Sequence, residues 1–114
     1  MEKLIKNMEH STVSPLAEQV QYLDGQIVSK TLAQSKHHSL TLFAFDQGEE
    51  ISSHDSEGDA MILALDGKGK VTIDGVEHPL ETGESIIMPA QIPHAVFATE
   101  RFKMMLTVIF SEKS

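Results

Sequence analysis

Two stretches decide the fold of this chain: GEEISSHDSEGDAMILALDG at residues 48–67 and GESIIMPAQIPHAVFA at residues 83–98. Written by spacing they are Gly48-x5-His54-x-Ser56-x3-Ala60-x6-Gly67 and Gly83-x5-Pro89-x-Gln91-x2-His94-x3-Ala98. In the first, Ala60 to Leu65 is an unbroken apolar run of strand length, closed by the turn residues Asp66-Gly67-Lys68-Gly69. Strand alternation puts Ala60, Ile62 and Ala64 on one face and Met61, Leu63 and Leu65 on the other. A strand apolar on both faces has to be covered on both.

The same alternation of short strands and turns extends outward from these stretches. Ile27–Leu32 and Ser39–Phe45 read as strands, separated by the polar loop Gln34-Ser35-Lys36-His37-His38, and Asp46-Gln47-Gly48-Glu49 reads as a turn. Lys70–Ile73 and Val76–Leu80 flank Asp74-Gly75, a strong two-residue hairpin signal because both positions tolerate positive φ. Ser85–Met88, His94–Ala98 and Phe102–Phe110 complete the set. In the last of these, Phe102, Met104, Leu106, Val108 and Phe110 share one face, and Met105 and Ile109 the other.

Eight or nine short strands with Gly-rich turns predict an all-β antiparallel sandwich or barrel over residues 26–114. Residues 1–25 are weakly patterned and read as an N-terminal arm, irregular or with a short helical turn around Ser14-Pro15, Leu16, Val20 and Leu23. A small barrel has no spare layer to cover the outward side chains of Ala60–Leu65 and Phe102–Phe110. The arm or a second copy must supply it, and a homodimer is the expectation.

At 114 residues the chain fits one domain with a real core. Its formal charge is −8 and its nine Lys and Arg are scattered, which predicts neither a nucleic-acid nor a membrane partner, since both demand clustered cations. One Tyr and no Trp leave no stacking platform for single-stranded nucleic acid. The absence of cysteine excludes disulfides, thiol nucleophiles and zinc–thiolate sites. Met1-Glu2-Lys3-Leu4-Ile5-Lys6 lacks the apolar core of a signal peptide, and Ala60–Leu65 falls far short of the about 20 residues of a membrane span. A soluble, cytoplasmic protein is expected.

Together the two motifs resemble the core of the cupin superfamily, in particular its small single-domain, conserved-barrel members, with the resemblance covering residues 26–110. It implies a jelly-roll barrel, the double-stranded β-helix. It also implies a site where three histidines and a glutamate converge on one divalent transition metal (Fe, Mn, Ni, Cu or Zn), serving dioxygenase, isomerase or decarboxylase chemistry. His54 matches the first histidine of that set and His94 the second-motif histidine. Ser56 stands where the second histidine would be, and Ala60 where the glutamate would be. Gln91 replaces a glycine and Ala98 a terminal asparagine. The metal motif is therefore degenerate, and two imidazoles alone hold a divalent ion weakly. Glu57, in the loop after His54, and Gln91 with a water are the candidates to complete it, although strand alternation points Asp55 and Glu57 away from the His54 face.

Two functional readings follow. In the first, His54, Ser56, Ala60, Gln91 and His94 form a pocket for a small organic ligand, with the two histidines as polar anchors. In the second, His54 and His94 are the surviving ligands of a metal-dependent enzyme. The plainer alternatives are a relic histidine pair bonded to each other or to water, and a barrel with a purely structural role. Met61, Met88, Met104 and Met105 read as core or dimer packing, or more sharply as a soft wall for an apolar ligand, with Ala60 and Ala64 leaving it room. His10, His37, His38 and His78 read as surface residues. Ser52, Ser53 and Ser56 flank His54, but neither a glycine-flanked elbow nor an ordered triad accompanies them.

Overall fold

A computed structural model describes residues 3–111, so the extreme ends of the 1–25 arm and the 26–114 barrel lie outside it. The elements are a 3-10 turn at Leu16–Gln19 and seven strands: β1 Ile27–Gln34, β2 His38–Phe45, β3 Glu50–His54, β4 Asp59–Ile73, β5 Val76–Glu81, β6 Ser85–Met88 and β7 His94–Ile109. All pairings are antiparallel. The all-β jelly-roll expectation is met, with two differences in how the strands divide.

The first difference is that four of the expected strands are two long, bent ones. Ala60–Leu65 and Lys70–Ile73 are halves of β4, and His94–Ala98 and Phe102–Phe110 are halves of β7. The turn residues Asp66-Gly67-Lys68-Gly69 do not end the strand. They form bulges in the β4–β7 ladder, where register slips between Ala64 and Asp66 and again between Gly67 and Gly69. An extra residue on one side of a ladder bends it and increases its twist. The second difference is β3, a short strand paired with β7 through Glu50, Ile51 and His54 that was not expected.

The bends divide the strands into two layers. The leading half of β4 pairs with β6 and the trailing half of β7, which in turn pairs with β2 and then β1. The trailing half of β4 pairs with β5 and the leading half of β7, which carries β3. Between the layers lies a core that includes Phe45, Ile62, Val71, Val96, Phe102 and Met104. Phe102 stacks tilted against Phe45 at 5.9 Å between centroids. Ala60, Ile62 and Ala64 point inward and Met61 outward, as alternation requires.

The outer face is covered in part by the arm. Val20, with Met8, Leu16 and Tyr22, packs on Leu42, Ala44, Leu40, Leu65 and Met105. Polar contacts fix this layer in place. Lys103 Nζ donates to the Ala17 carbonyl at 2.6 Å and lies over the Tyr22 ring at 4.9 Å. The Tyr22 hydroxyl donates to Asp66 at 2.5 Å. Arg101 bridges Asp24 and Asp46. The Gly25 amide and the Arg101 guanidinium together hold the Asp46 carboxyl down to about 2. At the β1 edge, Lys6 N donates to the Leu32 carbonyl at 2.7 Å. A strip of the same face stays open, with Met61 45 %, Ile87 54 % and Ile109 57 % exposed.

The bulge has a strict steric requirement at one residue. Gly67 sits at φ +74, where a Cβ would lie 1.7 Å from the Arg101 carbonyl oxygen. Gly75, in the β4–β5 turn, has φ +81 but open space around it. Gly75→Ala is therefore expected to cost only the left-handed backbone penalty, about 1–2 kcal/mol. Gly67→Ala adds a clash with backbone and is expected to cost roughly 3 kcal/mol or more. Urea denaturation of both variants checks this, and equal losses would show that the β4–β7 approach is not what requires glycine at position 67.

Candidate functional site

The two histidines that stand 40 residues apart in the motifs come together because β3 and β7 pair, with His54 directly opposite His94. Their rings meet edge to face at 4.5 Å between centroids. His94 is buried, 4 % exposed, while His54 stands at the exposed end of β3. The pair thus runs from the surface inward.

Each ring is held in the same way. His54 Nδ1 lies 3.0 Å from the Ser52 carbonyl oxygen, and His94 Nδ1 lies 3.2 Å from that of Ile92. A carbonyl can only accept, so each bond places a proton on Nδ1, and in the neutral ring Nε2 then keeps its lone pair. Burial, and then the neighbouring His54, push the His94 pKa below its ordinary value, because both disfavour the charged imidazolium. At neutral pH His94 is accordingly a neutral acceptor at Nε2.

Both rings border a cavity of about 200 Å³ between the layers. Ser56 and Ala60 line it with them. The rest of its wall is apolar: Phe43 and Ile51 on β2 and β3, Met88 on β6, and Val96, Met104, Leu106 and Val108 on β7. Ala60 pairs across the sheet with both Met88 and Val108, so its small side chain opens space at the centre of that wall. Larger hollows border the N-terminal arm, but neither histidine of the motifs touches them.

Four of the five expected pocket residues (His54, Ser56, Ala60 and His94) meet at this cavity, and Gln91 does not. Gln91 occupies an exposed turn at φ +64, and its amide donates to the Ser56 carbonyl at 2.7 Å. It ties the two motif loops together, in a backbone conformation that favours glycine. Glu57 is also exposed and absent from the cavity wall. Ser56 Oγ accepts from the Gly58 amide at 3.1 Å and faces its carbonyl at 3.4 Å, so its hydroxyl is engaged locally.

These donors do not fit a resident divalent metal. Among the described residues the cavity offers two imidazoles, one occupied hydroxyl and no carboxylate, where such an ion needs more donors and a charge to balance its own. Among the described residues no three His, Cys, Asp or Glu side chains are placed to hold a metal ion together.

Sequence reasoning missed Phe43, Ile51, Val96, Leu106 and Val108 as cavity residues. For all but Ile51, alternation marks an inward face, but which inward residues border a void depends on how the two layers close.

The lowered His94 pKa has a signed consequence. An unfolded histidine titrates near 6.5 and the folded one lower, so between those values the unfolded chain binds more protons. This contribution to stability is complete above pH 6.5 and is lost as pH falls towards the folded pKa. An NMR titration is expected to give His94 a midpoint below 6.5, with stability falling on acidification through that range. A midpoint above 6.5 would contradict the buried, neutral imidazole.

The match to known proteins agrees with this architecture. The family model described as a cupin domain matches residues 41–110. A crystal structure of a conserved protein of unknown function from Streptococcus pyogenes superposes with a TM-score of 0.95 at 40 % identity, covering 97 % of each chain. A cupin superfamily protein from Desulfitobacterium hafniense gives a TM-score of 0.90 at 31 % identity, covering 94 % of this chain and 98 % of that one. A curated relative, the dimethylsulfoniopropionate lyase DddW of Ruegeria pomeroyi, is 29 % identical over 72 residues, or 63 % of this chain. The match spans only 47 % of the lyase, less than half its length. With paired motif histidines, a two-layered jelly roll and a family match over most of its strands, the chain belongs to the cupin family as a small conserved-barrel member.

Proposed function

We propose that this barrel binds a small organic molecule in the cavity beside His54 and His94, and that it does so without a resident metal. The observation that carries the reading is the character of the cavity wall: apolar apart from Ser56 and two imidazoles whose Nδ1 atoms are taken by backbone carbonyls. A concave apolar site with a few convergent polar groups is the usual form of a ligand pocket. Met88 and Met104 suit such a wall, because their unbranched thioethers adapt to the shape of a guest.

The lyase activity of the curated relative does not transfer easily. Its substrate, by its name, carries a sulfonium and a carboxylate, and among the described residues the cavity wall holds no ionic partner for either. In favour of the metal-dependent reading stands the close pairing of the two imidazole rings, and it predicts a different outcome in the same experiment.

Protein purified without chelator is expected to carry far less than one equivalent of Fe, Mn, Ni, Cu or Zn by elemental analysis. One equivalent, lost in a His54→Ala His94→Ala double variant, would replace the ligand-only reading with the metalloenzyme. Restoring the missing donors with Ser56→His and Ala60→Glu is expected to raise affinity for these ions by at least 100-fold, on the order of 3 kcal/mol for added donor bonds. In methyl-labelled protein, one-ring molecules are expected to shift the Met88 and Met104 resonances and leave that of the exposed Met61 unmoved.

A homodimer completes the proposal. The open strip of Met61, Ile87 and Ile109 adjoins the part of the outer face that the arm covers, and Met61 and Ile87 are direct cross-strand neighbours. Each copy carries the same strip, so a two-fold pairing covers both at once. Sedimentation is expected to show a dimer at micromolar concentration and a monomer for Met61→Glu. A monomeric parent protein would overturn this.

A further inference from the structure

The same cavity limits the chemistry of what it can hold, and this inference rests on the organic-ligand reading above. Size is the first limit. A cavity of about 200 Å³ takes a molecule of about one ring, since apolar cavities near 150 Å³ already admit benzene. Charge is the second. Among the described residues no Lys, Arg, Asp or Glu lines the wall, so a buried carboxylate or ammonium would lose its hydration without gaining an ion partner there.

Hydrogen-bond polarity is the third limit and the most specific. The Nδ1 protons are used on the Ser52 and Ile92 carbonyls, so an imidazole in its neutral form has no donor left here for a guest. The Ser56 hydroxyl is bonded to the backbone of Gly58. The polar end of the cavity therefore accepts and does not give. His94 is the stronger acceptor of the two, because it is buried and water competes there less than at exposed His54.

We propose that the cavity selects an uncharged molecule of about one ring whose apolar body lies against Met88 and Met104 and whose single hydroxyl donates to His94 Nε2. Phenols and compact alcohols form this class. A carbonyl compound or ether of the same size brings only acceptors to an accepting site and is disfavoured. No bond is made or broken in this step.

The test uses phenol, toluene and benzoate on intact protein carrying ¹⁵N-histidine and methyl-labelled methionine, at pH 7.5. Phenol and toluene are both expected to shift the Met88 and Met104 methyls, which reports entry into the cavity. Only phenol is expected to move the His94 Nε2 resonance upfield, as acceptance of a hydrogen bond requires. Benzoate is expected to do neither. A His94→Leu variant should lower the affinity for phenol relative to toluene by roughly 3–10-fold, the size of one neutral hydrogen bond. If that variant does not fold, the Nε2 shift in the parent protein still decides the matter.

Methyl shifts from both rings with a still His94 Nε2 would overturn the donor requirement and leave the cavity reading standing. Benzoate binding more tightly than phenol would overturn the charge argument. No methyl shift from any of the three would remove the organic-ligand reading along with this inference.

Discussion

The structure depends on the bent ladder between β4 and β7. These two strands, of 15 and 16 residues, pair from Asp59–Ile109 at one end to Ile73–His94 at the other. Every other strand except β1 attaches directly to one of them. The bend at Gly67 turns one pair of strands into the centre of two layers, and the layers enclose both core and cavity. Gly69 works at the same corner, where a Cβ would meet the Phe102 ring at 2.8 Å. Phe102 fills the position that a side chain at residue 69 would take, so close packing at the bend and the absence of a side chain are one requirement.

The ladder also sets up the site. It delivers His94 at its open end, where β3 can pair with it, and brings Ala60 opposite Met88 and Val108. A glutamate at position 60 would project into that space, and alanine leaves it apolar. The same geometry thus favours a charged metal centre or a neutral pocket according to two side chains, Ser56 and Ala60. Neither the barrel nor the pairing of the histidines depends on that choice.

Much of this was legible in the sequence. Period-2 alternation identified the inward faces of β4 and β7, and motif spacing brought His54, Ser56, Ala60 and His94 to one place. The failures have physical reasons. Asp66-Gly67-Lys68-Gly69 has the composition of a turn, but the glycines serve a bulge, and composition does not distinguish a chain that reverses from one that bends. β3 carries two serines and a glutamate around a single Ile51, so no apolar period marks it, and only its pairing with β7 makes it a strand. Gln91 follows the motif spacing correctly, yet its left-handed backbone turns the position into a brace between loops.

The arm that packs on the outer face imposes an order on folding. Val20 and Leu16 rest on a surface shared by Leu42 of β2, Leu65 of β4 and Met105 of β7, and Lys103 of β7 reaches back to Ala17. The β1 and β2 part of that surface lies close to the arm in sequence, but the part that β7 supplies joins only after a loop closure of some 80 residues, so the full return of free energy waits on it. During synthesis the arm leaves the ribosome before the strands it covers, and its seat is complete only when β7 has joined. Until β7 emerges, β2 has one edge unpaired and the arm can cover only β1 and β2, so the nascent chain carries an open strand edge beside a partly covered apolar face.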